Sequence, residues 1–223
     1  MVEGEVKSLV CYQIYYSLET AKNCFKESNW WRLYDRSNRI SPYFENDVIK
    51  EIVAAGHGTG FDYLGIFSHS IGSKITFKEN KLIFNPYNLK AVVSKGEADF
   101  YSFQKRRSNK NIIHQAEQWH PGITNYTRKI LDNIGYSLPE RLDRIVLFNH
   151  FVAKREVYDR YVHEMLLPAM DIMANMPELN GNAGYKTTVP KGFNHWPYHP
   201  FILERFPSVW LQFNKEVTFK HIF

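Results

Sequence analysis

The sequence predicts an α/β fold with a largely parallel central sheet flanked by helices, and three observations carry that prediction. Short β-branched and aromatic runs, such as LVCYQIYY (residues 9–16) and DYLGIF (62–67), alternate with segments of helical period. The punctuation between them falls where helices stop and start: Gly56, Gly96 and Gly135 at the stops, Asn85-Pro86 and His120-Pro121 at the starts. A chain of 223 residues that is 44% hydrophobic and 16% aromatic can also bury a sizeable core, so one domain is expected over residues 1–223.

Taken in order, LVCYQIYY contains neither Gly nor Pro and reads as a buried first strand. A polar, Trp-containing connection leads to FENDVIKEIVAAG, where Val48, Ile49, Ile52 and Val53 share a helix face that Gly56 can close. Residues 63–67 form the next strand. Asn85-Pro86 supplies an N-cap and first-turn proline for a short helix ending near Gly96, and residues 98–103 then read as a strand. His120-Pro121 opens a helix with Ile123, Tyr126, Ile130 and Leu131 on one face.

RIVLFNHFVA (144–153) reads as a further strand, and the helix after it carries Tyr158, Tyr161, Val162, Met165, Leu166 and Ala169 as a core stripe. Residues 175–200, rich in Asn, Gly and Pro, are expected to form a lid or an ordered surface loop. Pro200 begins a last helix interrupted by Pro207, and residues 217–222 can add an edge strand. Sheets of this kind bind ligands beyond the carboxyl ends of their strands, which directs attention to Ser68-His69-Ser70.

Composition excludes several classes. The apolar runs are too short to cross a bilayer and the start MVEGEVKS lacks the order of a signal peptide, so a cytoplasmic location is expected. Cys11 and Cys24 have no metal-knuckle spacing and are expected as reduced thiols. Net charge is +5 with a pI of about 9.0, and the densest basic cluster, QKRRSNK (104–110), stands outside any nucleic-acid module, so no nucleic-acid partner is expected. A basic surface suits phosphate-bearing substrates, or an anionic membrane face to which the protein would be peripheral.

Ser68-His69-Ser70-Ile71-Gly72 resembles the G-x-S-x-G nucleophile elbow with Ser70 as nucleophile, and a serine hydrolase is one reading. Ser68 replaces the first glycine, and SKITFKENK after it lacks a strong amphipathic helix. Gly56-His57-Gly58-Thr59-Gly60 looks like an oxyanion loop but lies too close before the serine, while Asp171 and His195 are nominal triad partners. The pair His195 and His199 has helical metal spacing, against which Pro197 and Pro200 argue.

Several stretches in order resemble a bacterial family of glycosyltransferases of capsular and surface polysaccharide synthesis, built on the nucleotide-diphospho-sugar transferase (GT-A) fold. LVCYQIYY resembles its opening strand, and SPYFENDVIKEIV followed by DYLGIFSHSIGSK resembles its helix leading into a D-Y-[IL]-G strand. Ala98-Asp99-Phe100-Tyr101 resembles the next short strand, and Asn149-His150-Phe151-Val152-Ala153-Lys154 an N-x-F-[IV]-x-[KR] strand; PFILER with SVWL resembles the terminal helix. The likeness runs from about residue 9 to 214. It implies a nucleotide-sugar donor and a glycan or lipid-linked acceptor, and in many such enzymes a Mn or Mg ion on an Asp-x-Asp. Ser68-His69-Ser70 stands at that place without carboxylates, so the resemblance implies either a metal-independent enzyme or a non-catalytic glycan- or nucleotide-binding relative.

On this reading Glu204 and His69 are the candidate bases, because transfer to a hydroxyl needs a proton acceptor. Ser68, Ser70, Lys74 and Arg205 would hold the phosphates, and Gln13 and Tyr15, at the end of the first strand, the nucleotide base. Glu117, Trp119, His120, His195 and His199 would line the acceptor site, since aromatic faces stack on sugars and polar neighbours read hydroxyls. The competing readings are structural: an ion pair for Glu204-Arg205, a cap for His120, a packed loop for 194–199, and sheet packing for Gln13.

Overall fold

The computed structural model describes residues 6–39, 41–74, 84–103, 111–184 and 192–222. Strands β1 (Leu9–Tyr15), β2 (Trp31–Asp35), β3 (Tyr63–Ser68), β4 (Phe100–Ser102), β5 (Phe151–Lys154) and β6 (Phe219–His221) form one mixed sheet ordered β2-β1-β3-β5-β4-β6. Only β5 pairs antiparallel, with β3 and β4; the other strands run one way, which is the largely parallel sheet the sequence predicts.

Alternate strand residues sort onto two faces, as a period of two requires. Val10, Tyr12 and Ile14 of β1, Leu64 and Ile66 of β3, and Phe151 and Ala153 of β5 join the larger apolar cluster. Leu9, Cys11, Tyr63, Phe67 and Val152 point to the other face, where Trp31 stacks on Phe67 at 5.5 Å. Helices cover both faces. In chain order they are α1 (Leu18–Ala21), α2 (Glu45–Ala54), α3 (Ile71–Lys74), α4 (Pro86–Val93), α5 (Ile112–Ala116), α6 (Ile123–Asn133), α7 (Arg155–Tyr161), α8 (Leu167–Ala174), α9 (His199–Leu203) and α10 (Phe206–Phe213).

Helix boundaries follow capping chemistry. The Asn85 side chain accepts from Tyr87 N at 2.8 Å with Pro86 in the first turn, as expected, and Asn111 accepts from Ile113 N at 2.9 Å. The expected core stripe from Tyr158 to Ala169 is buried, but the helix that carries it is not uniform. Val162–Leu166 is a π segment in which Leu167 N bonds Val162 O. Pro168 cannot donate to the carbonyl four residues before it, and the wider turn absorbs that loss.

Three expectations need correction. The connection before α2 contains an edge strand, β2, whose outward Arg32 and Asp35 make it look like a loop. The expected strand over 144–153 is a strand only from Phe151: residues 144–150 are a buried loop whose backbone is paired by side chains, Ser102 Oγ to Ile145 O at 2.9 Å and Val146 N to Ser208 Oγ at 2.7 Å. The last helix, expected to be interrupted at Pro207, is two helices broken at Glu204-Arg205, with Pro207 in the first turn of the second. Within 175–200, Pro177–Asn180 is a 3-10 turn and residues 185–191 lie outside the described residues, as does the basic cluster 104–110.

No helix among the described residues is long and apolar enough to cross a membrane.

Candidate functional site

With β5 reversed, its amino end meets the carboxyl ends of β1, β3 and β4 at one edge of the sheet. There β3 delivers Ser68, whose Oγ lies 3.0 Å from Ser70 Oγ and 3.2 Å from His150 Nε2. Next to His150, Asn149 Nδ2 donates to Asn46 Oδ1 at 3.1 Å, and Asn46 Nδ2 to Tyr43 O at 3.1 Å. Two residues before Asn46, the ring of Phe44 lies 6.4 Å from that of Tyr16, which follows β1. Tyr16 in turn meets His69 edge-on at 5.9 Å. Four contacts, joined by short steps along the chain from Phe44 to Asn46, from Asn149 to His150 and from Ser68 to His69, close a circuit: Tyr16, Phe44, Asn46, Asn149, His150, Ser68, His69 and back to Tyr16.

This edge is strained. Among the described residues, the non-glycine positions with positive φ are Phe44 at 48°, Phe148 at 61° and Asn149 at 54°, and all three adjoin the circuit. A bulky residue held there costs about 1–3 kcal/mol, and such outliers cluster at functional sites. Hydrogen-bonding capacity is also left over. Asn149 Oδ1 and the Tyr16 hydroxyl are both shielded from solvent without a hydrogen-bond partner among the described residues. Burial, reinforced by Glu45, pushes the Tyr16 hydroxyl well above the usual phenol range, so it stays protonated.

The described part of the predicted lid packs onto the same edge. Phe44 stacks on Phe193 at 5.8 Å and on Trp196 at 5.4 Å, and Tyr43 meets His199 edge-on at 4.8 Å. At the end of β2 lies a cleft of about 230 Å³ lined by Tyr34, Asp35, Arg36, Asn38, Arg39 and Glu51. Arg36 is buried and pairs with Glu51 at 2.7 Å, and Arg39 joins the same carboxylate at 2.8 Å. Burial opposes ionisation of Glu51, yet Arg36, Tyr34 and Arg39 hold it below the usual carboxylate range.

The structure brings His69, Ser68 and Ser70 to the circuit and His199 against the neighbouring Tyr43, and gives several other predicted residues structural partners. Gln13 is fully buried: its Oε1 accepts from Phe25 N at 2.9 Å and Trp31 Nε1 at 3.1 Å, and its Nε2 reaches the Ser68 and His69 carbonyls at 3.4 and 3.3 Å. It fastens the end of β3 and has no hydrogen-bonding group left to offer a nucleotide base. Tyr15 is hydrogen-bonded to Asp35; burial and then that bond raise its pKa. Lys74 closes α3, and its side chain lies outside what is described.

Arg205 and Glu204 pair with each other at 2.6 Å in the helix break, and Arg205 also bonds the carbonyls of Phe201 and Ile112. Phe201, whose carbonyl Arg205 bonds, has its ring 5.7 Å from that of Trp196, which stacks on Phe44 of the circuit. Glu117 caps α6, accepting from Gly122 N and from Thr124 N at 2.9 Å; burial opposes its ionisation, and the Thr124 and Gly122 bonds hold it low. Trp119 is 62% exposed. His120 is buried with Nδ1 on Ala183 O at 2.9 Å and its ring on Phe201 at 4.0 Å, and burial lowers its pKa. His195 bonds Asn180 O, and His199 is buried. The proposed acceptor residues therefore split between a helix cap (Glu117), a buried stack (His120), an exposed tryptophan (Trp119), a loop contact (His195) and a buried ring against Tyr43 (His199).

The circuit members Tyr16, Phe44, Asn46, Asn149 and His150 were not predicted as site residues. Asn149 and His150 stood in a quoted strand motif, but the contact to Ser68 spans 82 residues and no local pattern announces it.

For the hydrolase reading, Gly56 to Gly60 precede β3 and so lie at its amino end, away from Ser70. Ser70 is absent from the positive-φ positions a strained elbow requires, and no hydrogen bond joins it to Asp171 or His195 among the described residues. A divalent ion fits the Ser68–Ser70 turn poorly, because its donors are hydroxyls committed to each other and to His150 and it offers no carboxylate. Among the described residues no three His, Cys, Asp or Glu side chains gather as metal ligands. Comparison of the chain with protein-family models, with curated proteins and with solved structures finds no match.

Proposed function

We propose that this chain is a glycosyltransferase of the GT-A type, moving a sugar from a nucleotide donor to a hydroxyl of a surface glycan or its lipid-linked precursor. The observation that carries this reading is the circuit itself: aromatic faces and uncharged hydrogen-bonding groups linked at the carboxyl edge of a largely parallel sheet. The reversed strand supports it, since only a reversed β5 delivers His150 and Asn149 to that edge.

In the reaction, the bond from the sugar's anomeric carbon to the diphosphate oxygen breaks and a bond to the acceptor oxygen forms. The acceptor's proton goes to a base, and the nucleoside diphosphate leaves. His69, half-buried beside Tyr16, takes the role of base, while Gln13 holds the backbone of Ser68 and His69 in place. The nucleotide lies toward the cleft at the end of β2, where Arg39, 66% exposed, faces the leaving phosphates.

A thermal-shift screen with UDP, GDP and their sugars, with and without manganese, tests the reading. At least one nucleotide sugar at a hundredfold excess over its Kd is expected to stabilise the fold by about 2.7 kcal/mol, without needing manganese. Stabilisation by none of them overturns it.

The serine hydrolase remains as a second reading on one observation, the Ser70–Ser68–His150 chain of hydroxyls and imidazole. Rapid labelling of Ser70 by a fluorophosphonate would establish it. An unlabelled Ser70 removes it.

A further inference from the structure

Asn149 is 97% buried, being 3% exposed, and still presents an acceptor oxygen with no partner among the described residues. Its amide nitrogen is spent on Asn46, which fixes which way the carboxamide faces. Tyr16, another member of the circuit, carries the second unspent group, a hydroxyl. Leaving either atom dry is unfavourable, and the positive φ of Phe148 just before Asn149 adds strain. A hydrogen-bonding ligand at the circuit would satisfy both groups.

The chemistry of that ligand follows from what surrounds the two atoms. The circuit is built of amide, hydroxyl, imidazole and aromatic groups, with no guanidinium or ammonium among them. The charged groups acting most strongly on the Tyr16 hydroxyl are Glu45, Arg36 and Asp47, and Arg36 is already paired with Asp47 at 3.4 Å and with Glu51. Among the described residues, the charges acting on that hydroxyl are then a net negative one from Glu45, which a ligand carboxylate would meet unfavourably. A polyol would meet a face to stack on, an acceptor and a donor.

We infer that the circuit is the sugar subsite and that it selects a neutral hexose over a uronic or sialic acid, with Asn149 Oδ1 accepting from one sugar hydroxyl and Tyr16 bonding another. The inference rests on the transferase reading and names the class of sugar that site takes. Asn149 is thereby a specificity residue.

The test compares binding of UDP, UDP-glucose, UDP-galactose, UDP-N-acetylglucosamine and UDP-glucuronic acid, together with GDP and GDP-mannose, by calorimetric titration. Methyl α- and β-glucosides, followed by saturation-transfer NMR, form a nucleotide-free arm. At least one neutral nucleotide sugar is expected to bind about tenfold more tightly than its parent diphosphate and than the glucuronate. Asn149→Gly keeps the left-handed backbone without strain and is expected to abolish that tenfold increment while leaving affinity for the parent diphosphate unchanged. Tyr16→Phe is expected to lose several-fold of the same increment with a melting temperature equal to or above wild type, because it deletes an unsatisfied buried hydroxyl.

A preference for glucuronate, equal affinity for sugar nucleotide and diphosphate, or a Tyr16→Phe variant that binds normally and melts low would overturn the inference. Binding of methyl glucosides without any nucleotide would retain the sugar subsite and remove the transferase reading. Binding of neither class removes both.

Discussion

Replacing Gln13 by leucine is expected to lower the unfolding free energy by about 4 kcal/mol, because two buried donors lose their acceptor at about 1–3 kcal/mol each and two carbonyls lose a donor. The donors are Phe25 N and Trp31 Nε1, and the carbonyls are those of Ser68 and His69. Leucine fits the apolar surroundings on that face, so the loss reports the hydrogen bonds rather than a cavity. Denaturant unfolding measures it. A residue whose role is to touch the nucleotide would behave oppositely, with stability unchanged and affinity reduced. A loss below about 1 kcal/mol would show that the end of β3 is not fastened this way.

The second large effect is on acid stability. His199 is buried, and burial pushes its pKa down from 6.5 to about 4. The unfolded chain therefore binds a proton between about pH 6.5 and pH 4 that the folded chain does not. The associated stability is complete above pH 6.5 and is lost as pH falls through that window, to a total of about 3 kcal/mol. His120 and His221 are lowered by burial as well and add slope of the same sign. His199→Phe keeps an aromatic ring against Tyr43 and is expected to flatten the dependence of stability on pH between 4 and 6.5, measured by urea unfolding at several pH values. An unchanged slope would mean that His199 is protonated equally in both states.

The elements that announced themselves in the sequence are those whose signals are local. Asn85-Pro86 marked a helix start because a cap and a first-turn proline act within three residues. LVCYQIYY marked a strand because its burial is nearly continuous. The failures share one cause, which is that tertiary partners replaced local pattern. Residues 144–150 are as apolar as a strand, yet Ser102 and Ser208 satisfy their backbone and Phe148-Asn149 turn the chain before β5 begins. β2 carries a charge at Arg32 and another at Asp35 because an edge strand has one side in water, and so it resembles a loop.

The site was legible at the same resolution. Ser68-His69-Ser70 was recognisable as a strand end, since β3 is locally encoded. Its partners were not. His150 reaches Ser68 across 82 residues, and Asn46 reaches Asn149 across 103, through a sheet order that no short motif specifies. The predicted charged pair Glu204-Arg205 proved to be a helix-break ion pair for the same reason: sequence shows adjacency but not what the next layer offers. Glu117 looked like an acceptor carboxylate, and the N-terminus of α6 five residues later is what it serves.

The most direct test of a sugar-nucleotide site at this edge is a histidine-selective NMR titration of the chain, which has nine histidines, with UDP-glucose and GDP-mannose. The ring signals of His69 and His150 are expected to shift together on saturation, while those of the exposed His57, His114 and His163 stay in place. Saturable binding that moves the exposed histidines and leaves His69 and His150 unshifted would contradict the assignment.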